Sequence, residues 1–473
     1  MPYRDIREFI DRLEREGEVR RIEEEVDCNL EIGAMLHCSY EKGLPAPFFQ
    51  RVKDYPKGYR VFGGTLGNYR RMAMAMDLDP NTHPRELVEE YLRRIKNPIK
   101  PRWVKEGPCK ENILTGDRVD LLRFPVPQIT PEDGGRFIGT WHLTISKAMD
   151  SDWVNWGMYR HMVHNRNTLG ILLQHYAHIG TMYRRDYEPS GKPMEVAIAI
   201  GVEPISAWFS GTPIPYGVSE ADMAGALRKE PVELIKCETV DLSVPATSEI
   251  VIEGEMRPHE RMKEGPFGEF TGYVASLVEP RPYIRVKAIT HRNDPILTMA
   301  ATGVFYEGLT ASCTSRAAEV LEALRGRGLP VTGVSCPIEG HSLLVVVAVK
   351  SLFGNIAEQV AHVVWGSTAG MTKPYLIVVS EDVDPFNLAE VVHSLMSKCH
   401  PYRGIVQQQH TMANPLWPFL SAYERRQKLG ARAYFDCTWP IDWAPADVPA
   451  RVAFKEIYPP EVQRKAIAVW EKK

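Results

Sequence analysis

Between about residues 113 and 305 the chain is cut into short apolar runs by glycine, proline and aspartate. That rhythm limits the fold more than any other feature. Runs at 137–146, 168–174, 194–202, 232–237, 249–254 and 284–290 are rich in β-branched residues and too short for helices. Many short strands in one block predict a barrel or a sandwich. One helix interrupts them at about 219–229, with Ser219 placed to cap it.

The flanks read differently. Ile6, Phe9, Ile10 and Leu13 recur at helical spacing until Gly17 stops the run, and a second amphipathic helix covers 84–95. Pro98, Pro101 and Pro108 mark a connection at 96–107. After about 315 the pattern alternates: helices at 316–324, 355–364 and 385–396, strands at 331–336, 343–350 and 375–380. This is an α/β domain with a sheet covered by helices. The tail from 438 carries five prolines and ends in an amphipathic helix at about 461–470, expected to dock on its own domain.

Charge removes several functions. With 57 basic and 60 acidic residues the net charge is −3, so there is no basic field for non-specific nucleic-acid binding. No apolar run approaches the roughly 20 residues of a membrane span, so no membrane insertion is expected. The charged N-terminus does not read as a secretory signal, and the 8 cysteines form no Cys-x-x-Cys. A cytoplasmic protein with reduced thiols is the expectation.

Three constellations could carry chemistry. His161, His164, His175 and His178 form two His-x-x-His pairs, but no thiolate supports a zinc site, and at most one is expected to be a ligand. Glu264-Gly-Pro-Phe-Gly-Glu269 places two carboxylates around a stiff turn. Such a pair can divide acid and base roles, with distant Arg160 keeping one ionised, or can be an exposed acidic turn. Pro213-Ile-Pro-Tyr-Gly-Val-Ser-Glu220 leads into a helix. Glu220 there is either an acid favoured by the helix dipole or one side of a metal bridge to an anion. No Walker A, G-x-G-x-x-G, H-E-x-x-H or G-x-S-x-G occurs.

Taken together, six segments in order resemble the UbiD family, decarboxylases that use prenylated FMN. They are Asn155-Trp-Gly-Met-Tyr-Arg160, Gln174-His175, 213–220, Lys236-Cys-Glu-Thr, Val244-Pro-Ala-Thr-Ser-Glu-Ile-Val-Ile-Glu-Gly254 and Glu264-Gly-Pro-Phe-Gly-Glu269. The resemblance implies an N-terminal α/β segment (1–112) and a split-barrel flavin domain of flavin-reductase type (113–312). An α/β oligomerisation domain (313–437) and a tail with a helix (438–473) follow. It also implies a flavin phosphate held through Mn²⁺ or Mg²⁺ with K⁺ beside it, and metal ligands matching Asn155, His175 and Glu220. Arg160, Glu264 and Glu269 match the catalytic network, with Glu269 as proton donor. Thr140, Met158, Tyr159, Gln174, Ser210, Thr212 and Lys373 match further cofactor contacts. The bulk of Tyr159 before the arginine favours an aromatic acid, hydroxybenzoate-like or heteroaromatic, over cinnamate-type substrates. By the same resemblance the reaction is reversible at high bicarbonate, a flavin prenyltransferase supplies the cofactor, and the chain forms a homo-oligomer, dimer or hexamer. Two alternatives stand beside it. A flavin-dependent oxidoreductase on the same fold would have no use for two carboxylates and an arginine. A non-catalytic partner subunit is opposed by intact matches at all three positions. Substrate selection is expected from 302–314 and 400–417.

Overall fold

Strands Met194–Ile200 and Ile250–Met256 are buried along nearly their whole length, so both faces of the sheet that holds them must be covered. A computed structural model, describing residues 3–471, places them in the middle of a nine-stranded antiparallel sheet. Its path begins with Phe137–Gly139, His161–Asn165, Thr168–Ile171 and Tyr283–His291. It continues through Ile250–Met256, Met194–Ile200 and His142–Lys147 to Val154–Gly157, with Asn112–Thr115 beside Tyr283–His291. The first and last strands do not pair. The mixed α/β class predicted from the sequence holds, but among the described residues no closed barrel is found.

The boundary drawn at 112/113 does not separate two sheets. Val19–Val26, Ala46–Val52 and Arg60–Gly63 form an N-terminal sheet whose fourth strand is Ile296–Met299, parallel to Arg60–Gly63. Such pairing joins residues more than 200 apart and leaves no local signal. Helix Pro84–Ile95 ties the first segment to the rest. Arg94 donates to Leu227 O at 2.8 Å, the Tyr91 ring stacks on Phe209 at 5.9 Å, and Glu89 pairs with Arg325 at 2.7 Å.

The C-terminal sheet runs Val331–Ser335, Leu344–Val349, Tyr375–Ser380, Leu429–Cys437, Ile405–Met412. Helices Ile356–Gly366 and Leu388–Ser397 accompany it. The last two strands escape sequence reading because Ile405–Met412 is polar and largely exposed at the sheet edge. Helix Glu307–Gly326 starts nine residues earlier than its periodicity predicts. The tail helix, Pro460–Trp470, buries no residue. Gln463 ties it to Tyr458 O at 2.7 Å, while Val469 and Trp470 remain 61% and 89% exposed. The expectation that it docks on its own domain is corrected: it turns back on the short helix before it, and its apolar stripe faces outward.

One core carboxyl makes stability depend on pH. Glu307 is fully buried, accepts from Thr65 N, and has an unpartnered Oε1. Burial pushes its pKa from 4.5 up to about 8. A carboxyl raised on folding stabilises below its unfolded pKa, and that contribution is lost as pH rises through the folded value. The chain should therefore lose roughly 3–6 kcal/mol between about pH 4.5 and pH 8 from this group. Urea midpoints at pH 5 and pH 8 should differ less in Glu307→Gln than in the unaltered chain. Equal pH dependence in both would refute the assignment.

Candidate active site

Arg160 follows strand Val154–Gly157, and Glu264 ends the short strand Met262–Glu264. Across the sheet they meet as a two-pronged pair: Nε donates to Glu264 Oε1 and Nη2 to Oε2, each at 2.8 Å. Arg160 Nη1 donates to Glu269 and to Ser276 Oγ at 3.2 Å. The guanidinium also lies over the Phe267 ring at 5.2 Å. All three charged side chains are buried, with Glu264 wholly enclosed. The stiff 264–269 turn thus holds both carboxylates on one arginine, and the exposed-turn alternative is excluded. Burial raises the pKa of Glu269, Arg160 lowers it and Glu264 raises it, with a net upward shift. Glu269 is therefore the member suited to carry a proton.

A cavity of about 340 Å³ lies beside this cluster. Tyr159 and Phe270, chain neighbours of Arg160 and Glu269, are part of its wall. Met158, Ser210, Thr212 and Lys373 also line it, as expected. Thr140 does not. Its hydroxyl accepts from Ala300 N at 3.0 Å, one residue behind the lining Trp141.

Asn155 and Glu220 face each other across one end of the cavity. Ser219 caps helix Glu220–Arg228, which puts Glu220 in its first turn. Glu220 is buried and accepts from Trp156 N at 3.0 Å, and burial raises its pKa against the lowering by His178 and that N–H. The third member is His178. Its Nδ1 lies 3.0 Å from Asn155 Oδ1 and 3.8 Å from Glu220 Oε1, and its ring packs edge-on against Trp153 and Tyr216.

The structure separates the histidines of the cluster. His175 and Gln174 line a different cavity, where His175 Nε2 meets Lys428 Nζ. Two residues of the connecting segment, Tyr176 and Ala177, separate the two histidines, enough to turn them to different cavities. The 155–178 spacing does not announce itself in sequence, because the turn between strand and helix decides which histidine faces inward. His161 is buried against Thr144 Oγ1 at 2.9 Å, and His164 stands apart beside Gly170. No three His, Cys, Asp or Glu among the described residues form a metal cluster, so the zinc alternative has no support.

The donors fit a divalent cation against a phosphate. The buried Glu220 carboxylate and the Asn155 amide oxygen both lie near the His178 imidazole, a set suited to a cation, while Asn155 Nδ2, a buried N–H without a partner, suits the phosphate. At the other side Lys373 is buried, its Nζ on Ser342 O and, at 2.7 Å, on Ser342 Oγ. Burial and Arg316 depress its ammonium pKa, which an anion would offset. Arg316, Tyr176 and Tyr306 also line this cavity and carry no motif in the sequence.

Sequence profiles of the 3-octaprenyl-4-hydroxybenzoate carboxy-lyases match in three consecutive parts: the N-terminal domain at 10–91, the Rift-related UbiD domain at 102–305 and the C-terminal domain at 310–437. The chain belongs to the UbiD family of carboxy-lyases. Pyrrole-2-carboxylic acid decarboxylase of Pseudomonas aeruginosa is 35% identical, over 98% of this chain and 97% of that protein. The closed form of Sedimentibacter hydroxybenzoicus vanillic acid decarboxylase superposes with a TM-score of 0.90 at 29% identity, covering all of both chains. Its open form gives 0.84 at 30% identity, so the chain is more similar to the closed form of that relative. HmfF of Pelotomaculum thermopropionicum in complex with FMN gives 0.85 at 29% identity, over 98% of this chain and all of that one. No helix among the described residues of this family member is long and apolar enough to cross a membrane.

Proposed function

We propose that this chain removes carbon dioxide from an aromatic carboxylic acid without net oxidation, using prenylated FMN bound in the 340 Å³ cavity. The observation that carries the reading is one buried arginine held between two buried carboxylates behind the cavity wall. When bound, the cofactor supplies an electrophilic ring that accepts the electron pair released with carbon dioxide. Arg160 receives the substrate carboxylate, and Glu264 fixes its fork. Glu269, whose pKa burial raises, delivers a proton to the substrate carbon where the carboxylate had been. Tyr159, Tyr176, Phe270 and Tyr306 wall the cavity with rings suited to a flat aromatic ligand. The open nine-stranded sheet would cradle the flavin in the manner of a split barrel.

Asn155, His178 and Glu220 would hold a Mn²⁺ or Mg²⁺ ion against the cofactor phosphate, and Lys373 would meet the phosphate directly. His178→Ala should therefore lower metal and flavin content together, by about tenfold or more, whereas His175→Ala should leave both unchanged. Metal analysis and flavin absorbance on the same preparations decide it. The reverse outcome would restore His175 as the ligand.

The reading as a whole is tested with protein co-produced with a flavin prenyltransferase and screened for carbon dioxide release from hydroxybenzoate-like and heteroaromatic acids. Turnover should require the prenylated cofactor. Equal turnover with ordinary FMN would favour the oxidoreductase alternative. Exchange of labelled bicarbonate into the acid is the expected sign of reversibility.

A further inference from the structure

The cavity that holds His175 has a charge pattern the proposed reaction does not use. It encloses about 240 Å³ and draws its wall from three parts of the chain. Arg184 comes from the turn Tyr183–Tyr187, Arg281 from strand Glu279–Arg281, and Arg425 and Lys428 from helix Ala422–Gln427 and its C-terminal cap. With Arg426, which also lines the cavity, five cations face one lining carboxylate, Glu279. Arg281 takes that carboxylate at 3.1 Å and also lies 3.3 Å from Glu264. Among the described residues Arg184, Arg425 and Lys428 make no ion pair.

Their donors are only partly used. Arg184 donates to Gly180 O at 3.2 Å and Leu173 O at 2.5 Å. Arg425 Nη2 donates to Trp417 O and Pro418 O, but its Nε is buried without a partner, whereas Arg281 Nε is held in the ion pair with Glu264. Lys428 Nζ meets an imidazole nitrogen rather than an oxygen anion. Like charges enclosed together, with a buried donor unmet, are unfavourable unless an anion joins them.

We infer that this cavity binds a small carboxylate-class monoanion, of the size of formate or bicarbonate, held by Lys428, Arg425 and Arg281. A planar oxyanion matches the forked donors of two arginines. Glu279 and Glu264 already share Arg281, so a dianion such as phosphate meets two carboxylates close by and is disfavoured. The electrostatics agree. Burial, with Arg184, Lys428 and Arg281, pushes His175 down to about 4, and burial with Arg184 lowers Lys428. Because Arg281 also touches Glu264, the anion sits one ion pair away from Arg160. The inference rests on this ion geometry and not on the proposed reaction.

Titration calorimetry on the holoenzyme at low ionic strength tests it, with sodium formate, bicarbonate and phosphate against chloride at matched ionic strength. Formate and bicarbonate should bind saturably. Lys428→Gln and Arg425→Gln should each weaken that binding by about tenfold, with flavin content unchanged. Lys428→Arg, which keeps the charge, should bind within about threefold of the unaltered protein, and it covers the case in which the glutamine variant fails to fold. Heats indistinguishable from chloride, or phosphate binding without formate or bicarbonate, would overturn the inference. So would unchanged affinity in Lys428→Gln, which would place the anion at Arg160 instead.

Discussion

Glu269→Gln should fold and bind flavin like the unaltered chain and turn over about 10²–10⁴-fold more slowly, the usual contribution of a general acid. The amide keeps the volume of the carboxyl and can still accept from Arg160, so packing in the buried cluster is preserved. What it lacks is a proton to give. The sign with pH follows from the raised pKa of Glu269. The neutral form is the donor, so activity should fall as pH rises through that value, and this limb of the profile should vanish in Glu269→Gln. Deuterium exchange into the product, run in reverse, should fall in parallel with turnover. Wild-type turnover and exchange in the variant would make water or another residue the donor, even with the reaction class correct. Glu264→Gln should act differently. It releases the fork that orients Arg160, so substrate binding weakens along with turnover.

Arg160→Leu should be the most destabilising change in the site. It leaves Glu264, wholly buried, and Glu269 facing each other with Arg281 as the nearest remaining cation. Removing one partner of a buried ion pair typically costs about 3–5 kcal/mol, because the other charge stays desolvated. The double variant Arg160→Leu with Glu269→Gln should recover part of that loss, since one stranded charge is gone. Arg160→Lys should recover stability better than activity, because an ammonium cannot fork to both oxygens of Glu264 and also reach Glu269. Denaturant midpoints and turnover measured on the four proteins check both halves. Full stability in Arg160→Leu would mean that the cluster is not held by this arginine.

Local chemistry made much of this chain legible. The stiff Gly-Pro-Phe-Gly turn implies two carboxylates with fixed spacing, and Ser219 before Glu220 implies a capped helix carrying an acid at its start. Apolar strands such as Met194–Ile200 and Leu344–Val349 declare themselves by β-branched content alone. Polar edge strands do not. Ile405–Met412 is held by its ladder to Leu429–Cys437, and a ladder is a property of two segments.

What the sequence by itself determined was therefore the family and the α/β class. Spacing singled out Glu264 and Glu269 around a stiff turn and Glu220 at a helix start, whereas Asn155 and the role of Arg160 came only with the resemblance of short motifs. Only the tertiary structure decided which histidine stands with Asn155 and Glu220, because a rotation of a few residues between strand and helix turns His178 inward and His175 toward Lys428. The same holds for the strand Ile296–Met299 in the N-terminal sheet, the arrangement nearer the closed relative, and the aromatic wall of Tyr176 and Tyr306. Each depends on contacts between distant segments, and no periodicity within either segment encodes them.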